Sequence, residues 1–151
     1  MSASLLLAAS LFLFPAPPQQ DAKELAQSLL TQGAALFDKH DAAAMAATYL
    51  ENGEIRLFIK EQNEPGYKRE NRSGRPAIQE GYAEVFKNAT PEMKSRNVVE
   101  AAKYLGDHTL VIEGTFQPDT NKADFVHFVQ VRVKDGSAWK ILTVDLFTVN
   151  N

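Results

Sequence analysis

The chain has 151 residues, with 16 Lys plus Arg against 19 Asp plus Glu and no cysteine. That length fits one domain with one sizeable core, and a mildly acidic balance without a basic run argues against nucleic acid and anionic membrane surfaces as partners. The missing cysteine removes disulfides, thiol nucleophiles, thiolate metal sites and a lipidated N-terminal cysteine.

Residues 1–20 carry no charged side chain and differ in kind from the rest. Leu5 to Phe14 is an apolar and small-residue run, broken by Pro15-Ala16-Pro17-Pro18. It is too short to span a bilayer as a mature helix and has the length of a signal-peptide core. The expectation is a secreted or periplasmic protein whose mature domain, 21–151, has no stable membrane insertion. The alternative is a retained N-terminal anchor.

From Asp21 the pattern turns helical, with Leu25, Leu29, Leu36 and Phe37 near one face. Asp41 suits the N-cap of a second, alanine-rich helix over Ala42–Leu50 that ends at Asn52-Gly53. Glu54–Lys60 reads as a strand, and Tyr67–Asn71 as a short edge strand. Ser73 can cap a third helix, with Pro76 in its first turn; Ile78, Tyr82, Val85 and Phe86 share a face there. Strands follow over Lys94–Tyr104 and His108–Gln117. A polar turn at Asp119–Lys122 leads into a hairpin over Phe125–Val149 that turns at Asp135-Gly136. Helices gathered early and strands late argue an α+β domain: a cone-shaped, curved antiparallel sheet around about three helices.

Three segments carry a family resemblance: Asp41–Gly53 (DAAAMAATYLENG), Ser73–Phe86 (SGRPAIQEGYAEVF) and Asp135–Thr143 (DGSAWKILT). In this order the chain is similar to the nuclear-transport-factor-two-like superfamily, with its SnoaL-like and ketosteroid-isomerase-like branches. The resemblance covers nearly all of residues 21–149. It implies a cone with a mostly apolar pocket at its open end, and often a homodimer formed through the outer face of the sheet. Members include isomerases, cyclases, dehydratases, toxin-immunity and assembly domains, and many with no known activity, so the fold alone leaves the function open.

Candidate chemistry centres on the last strand. The period of two puts Trp139, Ile141, Thr143, Asp145 and Phe147 on one face. A carboxylate among aromatics can serve as a general base or acid; the plain alternative is an Asp145 that meets solvent or a partner subunit. The hairpin loop decides what Asp145 faces. A three-residue loop sets His127 opposite it as an acid–base pair. A two- or four-residue loop brings Arg132, Gln130 and Phe128 to the Trp139 face instead. Glu100 and Glu113 form a second carboxylate pair if both point inward, although antiparallel sheets often present such residues to water.

Arg56 is a candidate anchor for an anionic ligand, or a solvated strand residue. Tyr49, Tyr82, Phe86, Phe116 and Trp139 are candidate walls for a flat apolar ligand, as well as candidate core; Thr143 joins the pocket set. The three histidines, His40, His108 and His127, lack paired metal-ligand spacing. Neither a glycine-rich phosphate loop nor a metal motif is present, so no cofactor is implied. The reading is a domain that binds a small, largely apolar molecule. An isomerase- or cyclase-type enzyme using Asp145 and His127, or a homodimeric protein-interaction module, stands as the alternative.

Overall fold

A computed structural model describes residues 20–90, 94–118 and 126–150. The proposed signal segment (all but Gln20) and the turn expected at Asp119–Lys122 lie outside these residues. Three helices, α1 (Ala22–Phe37), α2 (Ala42–Ala47) and α3 (Arg75–Lys87), accompany six strands: β1 (Tyr49–Glu61), β2 (Lys68–Ser73), β3 (Ser95–Tyr104), β4 (Thr109–Pro118), β5 (Val126–Asp135) and β6 (Ala138–Asn150). The strands form a single curved, unclosed sheet in the order β2-β1-β6-β5-β4-β3.

The helix starts follow local chemistry. Asp21 caps α1 by accepting from the Lys23 and Glu24 amides, and Asp41 caps α2 by accepting from the Ala44 amide. Two boundaries differ from the sequence expectation. The second helix stops at Ala47, and Tyr49 already belongs to β1. Asn52-Gly53 therefore sits inside a strand, at an irregularity between Tyr49 and Glu54 where the register against β6 shifts. The third helix is capped by Gly74, at φ 82°, without a side-chain bond, while Ser73 ends β2. The positive φ excludes a serine cap there at low cost.

The sheet is mixed: β1 runs parallel to β6, while all other neighbours are antiparallel. The long path through β2, α3 and three more strands provides the crossover that parallel pairing needs.

The core lies on the inner, helix-facing side in two clusters. Ala26 and Leu30 of α1 pack on Val99, Leu110, Ile112 and Phe128 of β3, β4 and β5. Ala46 and Ile78, from α2 and α3, pack with Tyr49, Ile55, Ile141 and Val144 of β1 and β6. Two bulges shape the wall. Glu100 is the extra residue between the pairs Val99↔Gly114 and Ala101↔Glu113. Leu142 is the extra residue between Arg132↔Ile141 and Val131↔Thr143. At the first, a Cβ on Gly114 would lie 2.1 Å from the Val98 carbonyl oxygen, so only glycine fits.

Candidate functional site

The bulge at Leu142 decides which residues of β6 face inward. The hairpin pairs Asp135 with Ala138, leaving Gly136-Ser137 as a two-residue loop with Gly136 at φ 60°. Trp139 and Ile141 thereby share the inner face with Lys134 and Arg132. Beyond the extra residue the parity changes. Val144 and Leu146 now point inward with Gln130 and Phe128, while Thr143, Asp145 and Phe147 point outward with Val131, Val129 and His127.

Between the helices and the inner face is a cavity of about 440 Å³. Its walls are mostly apolar: Leu30, Phe37, Met45, Ile55, Phe116, Ile141, Val144 and Leu146 contribute. At its rim stand Lys94 and two carboxylates, Glu70 and Glu84, each already held by a cation. Lys68 pairs with Glu70 at 3.1 Å and Arg72 with Glu84 at 2.6 Å.

Inside, the polar groups are few and buried. The hydroxyls of Tyr49 and Tyr82 are 3.0 Å apart, in hydrogen bond. Arg132, only 5% exposed, lines the same cavity. Its Nε–H donates to Gln130 Oε1 at 2.6 Å and its Nη1–H to the Trp139 carbonyl at 3.3 Å. No carboxylate pairs with it among the described residues. Burial lowers its pKa, and with the two tyrosines opposing the shift the value comes to about 10, so it remains a cation at neutral pH. Burial raises both tyrosine hydroxyls: Tyr49 well above the ordinary value and Tyr82 less so, with the field of Arg132 opposing both shifts. Asn97, also on the cavity wall, donates from Nδ2 to the Leu30 carbonyl at 3.1 Å, while its buried Oδ1 accepts no bond among the described residues.

The sequence-derived candidates divide between the two sides of the sheet. Tyr49, Tyr82 and Phe116 line the cavity. Phe86 lies behind it, packed on Tyr82, Phe37 and His40. Trp139 faces inward but packs on Tyr104 near the α1 cluster. Thr143, Arg56 and Asp145 are on the outer face, since Arg56 and Asp145 are register neighbours and Thr143 pairs with Val131. Arg56 grips Asp145 there with two bonds, Nε–H to Oδ1 at 2.5 Å and Nη2–H to Oδ2 at 3.0 Å.

His127 is opposite Phe147, and Asp145 is opposite Val129. The three-residue loop that would set His127 against Asp145 is not formed, and the two are not brought together at the cavity. Glu100 and Glu113 are exposed, so no inward carboxylate pair forms from them. Among the described residues no three His, Asp or Glu side chains converge as metal ligands.

One functional candidate escaped sequence reading, and two were legible only conditionally. Asn97 gave no signal. Arg132 and Gln130 emerge only for a two- or four-residue loop, and the Asp-Gly turn alone could not select it.

No family model and no curated protein matches the sequence. Solved structures do match the fold. A domain of unknown function with a cystatin-like fold from Nostoc punctiforme is 13% identical, covers 88% of this chain and 81% of its own, and has a TM-score of 0.65. A putative calcium/calmodulin-dependent protein kinase II association domain from Xanthomonas campestris is 19% identical over 86% and 89%, at TM-score 0.61. A ketosteroid isomerase-like protein from Erwinia carotovora atroseptica is 12% identical over 88% and 100%, at TM-score 0.59. Together with neighbours described as NTF2-like, they show that the chain has the NTF2-like fold.

Proposed function

We propose that this chain captures a small, largely apolar molecule in the cavity between its helices and the inner face of the sheet. The observation that carries this reading is the cavity itself, about 440 Å³ with mainly aliphatic and aromatic walls and a few convergent polar groups. That is the anatomy and the size range of small-molecule sites. A fold whose neighbours include isomerase-like proteins is compatible with chemistry at the same site. Asp145 is not placed to supply it, because it is held on the opposite side of the sheet by Arg56.

The test uses a neutral fluorescent probe, N-phenyl-1-naphthylamine, and a variant that fills the cavity. Gly33 lines the cavity, and a Cβ there meets nothing within 4 Å. Gly33→Phe should project its ring into the space without disturbing α1. Saturable binding of one probe per chain, abolished in Gly33→Phe, supports capture. Binding that survives the substitution overturns it.

Two further elements belong to this reading. Residues 1–20 direct export, supported by an apolar run of signal-peptide length that prolines break; a reporter fused behind them and left in the cytoplasm would refute this. The domain pairs with a second copy through its outer face. The stacked rings of Phe58 and Phe147, 5.1 Å apart with Phe147 36% exposed, support that pairing. Light scattering that finds a monomer at tens of micromolar would remove it.

A further inference from the structure

The capture reading leaves the polar end of the ligand undefined, and Arg132 defines it. An arginine only 5% exposed loses most of its hydration, and a protein normally supplies a carboxylate in return. Here the two neighbours that accept from it, Gln130 Oε1 and the Trp139 carbonyl oxygen, are neutral. They occupy Nε and Nη1, and among the described residues Nη2 has no hydrogen-bond partner.

The tyrosine pair adds a second donor. Two hydroxyls sharing one hydrogen bond use one hydrogen between them, which leaves one O–H to donate elsewhere. The charges that face this region from the packed elements are Glu70 and Arg72 on β2, Glu84 on α3 and Lys94 before β3. Both carboxylates are more exposed than Arg132 and are neutralised at the rim by Lys68 and Arg72, so neither acts as the missing counter-ion.

We propose that the cavity takes an amphiphilic monoanion, an apolar body ending in one carboxylate-like or sulfonate-like group, whose head is bound by Arg132 and the Tyr49–Tyr82 pair. This inference rests on the capture reading and adds the ligand class to it. A single guanidinium and a single free hydroxyl hydrogen match one delocalised negative charge. The mostly apolar walls match the rest of the molecule. Arg56, the arginine that the sequence offers as an anion anchor, already has its carboxylate on the other face.

Two probes that differ by one group decide the matter. The dye 1-anilinonaphthalene-8-sulfonate is N-phenyl-1-naphthylamine with a sulfonate added. A purely apolar cavity favours the neutral amine, since the sulfonate has to be dehydrated on entry. The full chain should instead bind the sulfonate about ten- to hundred-fold more tightly, the range of a hydrogen bond to a charged group. Arg132→Met should collapse that ratio to one or below, and Gly33→Phe should abolish binding of both dyes.

If the unsubstituted protein binds both dyes in the cavity but prefers the neutral one, capture stands and the anion proposal falls. That outcome needs no variant and is independent of whether Arg132→Met folds. If the protein prefers the sulfonate and Arg132→Met, shown folded by circular dichroism, keeps the preference, the assignment to Arg132 is overturned. If neither dye binds, or Gly33→Phe leaves both unaffected, the capture reading itself falls.

Discussion

Arg56 and Arg132 lie on opposite faces of one sheet. Arg56 projects outward beside Asp145, with side-chain exposures of 29% and 20%, and meets both carboxylate oxygens. Arg132 projects inward, 5% exposed, and meets an amide and a backbone carbonyl. The outer arginine is electrostatically complete and free of strong desolvation. The inner one is withdrawn from water and, among the described residues, meets only neutral acceptors. The difference teaches that a sequence-level arginine is informative only once its counter-ion is known. The completed pair describes a surface, and the buried arginine with neutral partners is what the proposed anion site rests on.

The contrast can first be sharpened by removing bulk from each face. Phe128, 2% exposed in the α1 cluster, is packed against Phe116 at 4.7 Å. Phe128→Ala should cost about 3–5 kcal/mol in urea unfolding, as lost transfer energy plus a cavity. Phe147→Ala on the outer face should cost about 1–2 kcal/mol, since part of that ring is already in water. Equal losses would mean that the outer face is covered, which favours the paired assembly.

The second comparison predicts a reversal of sign. Arg132→Met removes a buried cation that no carboxylate pairs with among the described residues and keeps most of the side-chain length, so it should stabilise the ligand-free chain by roughly 1 kcal/mol or more, the several-kcal/mol desolvation penalty of one ion less the two hydrogen bonds given up. Arg56→Met removes one partner of a completed pair and should destabilise. Thermal unfolding of the two variants side by side checks this. A large loss in Arg132→Met would mean that its bonds to Gln130 and Trp139 outweigh the cost of burial, and the proposed anion site would lose its premise.

How far these features could be read from the chain depends on their range. The three helices, the terminal hairpin and the order of elements follow from local signals: Asp41 as a cap, Asp135-Gly136 as a turn, and periodic apolar runs between them. The faces of β6 do not, because the extra residue at Leu142 reverses parity midway. Strict alternation puts Trp139 and Asp145 on one side, and the bulge puts them on two. No local rule marks Leu142 as the residue to be left out, since the bulge reflects how β5 and β6 bend around the helices. The cavity aromatics Tyr49, Tyr82 and Phe116 were legible as apolar residues on patterned faces. That Arg132 faces no carboxylate among the described residues depends on which side chains the fold gathers around it, and no local pattern contains that.

The pH dependence distinguishes the faces in a third way. Unfolded tyrosines ionise near pH 10, whereas burial keeps Tyr49 and Tyr82 protonated to higher pH. Above pH about 10 the unfolded chain therefore holds fewer protons than the folded one, and stability falls as pH rises. Arg132 acts with the opposite sign. Its folded value of about 10 lies below the unfolded one, so above that pH the folded chain holds fewer protons there and the loss is partly offset. The melting temperature should decline from pH 9 to 11 (about one unit either side of the tyrosine value). The decline should be shallower in Tyr49→Phe and steeper in Arg132→Met. A decline that Tyr49→Phe leaves unchanged would assign it to exposed groups instead.

The smallest effect belongs to the pair that is complete. A double-mutant cycle on Arg56 and Asp145, using Arg56→Met and Asp145→Asn, should give a coupling of about 0.2–1 kcal/mol, weakening as salt is raised. Partly exposed charges gain little from each other because water already solvates both. A coupling several times larger, and insensitive to salt, would mean that the pair is shielded in solution by something seated on the outer face. Protein concentration then identifies the cover. If dilution returns the coupling to the exposed range, a second copy of the chain is the shield. The outer arginine would then report on assembly, while the inner one reports on the ligand.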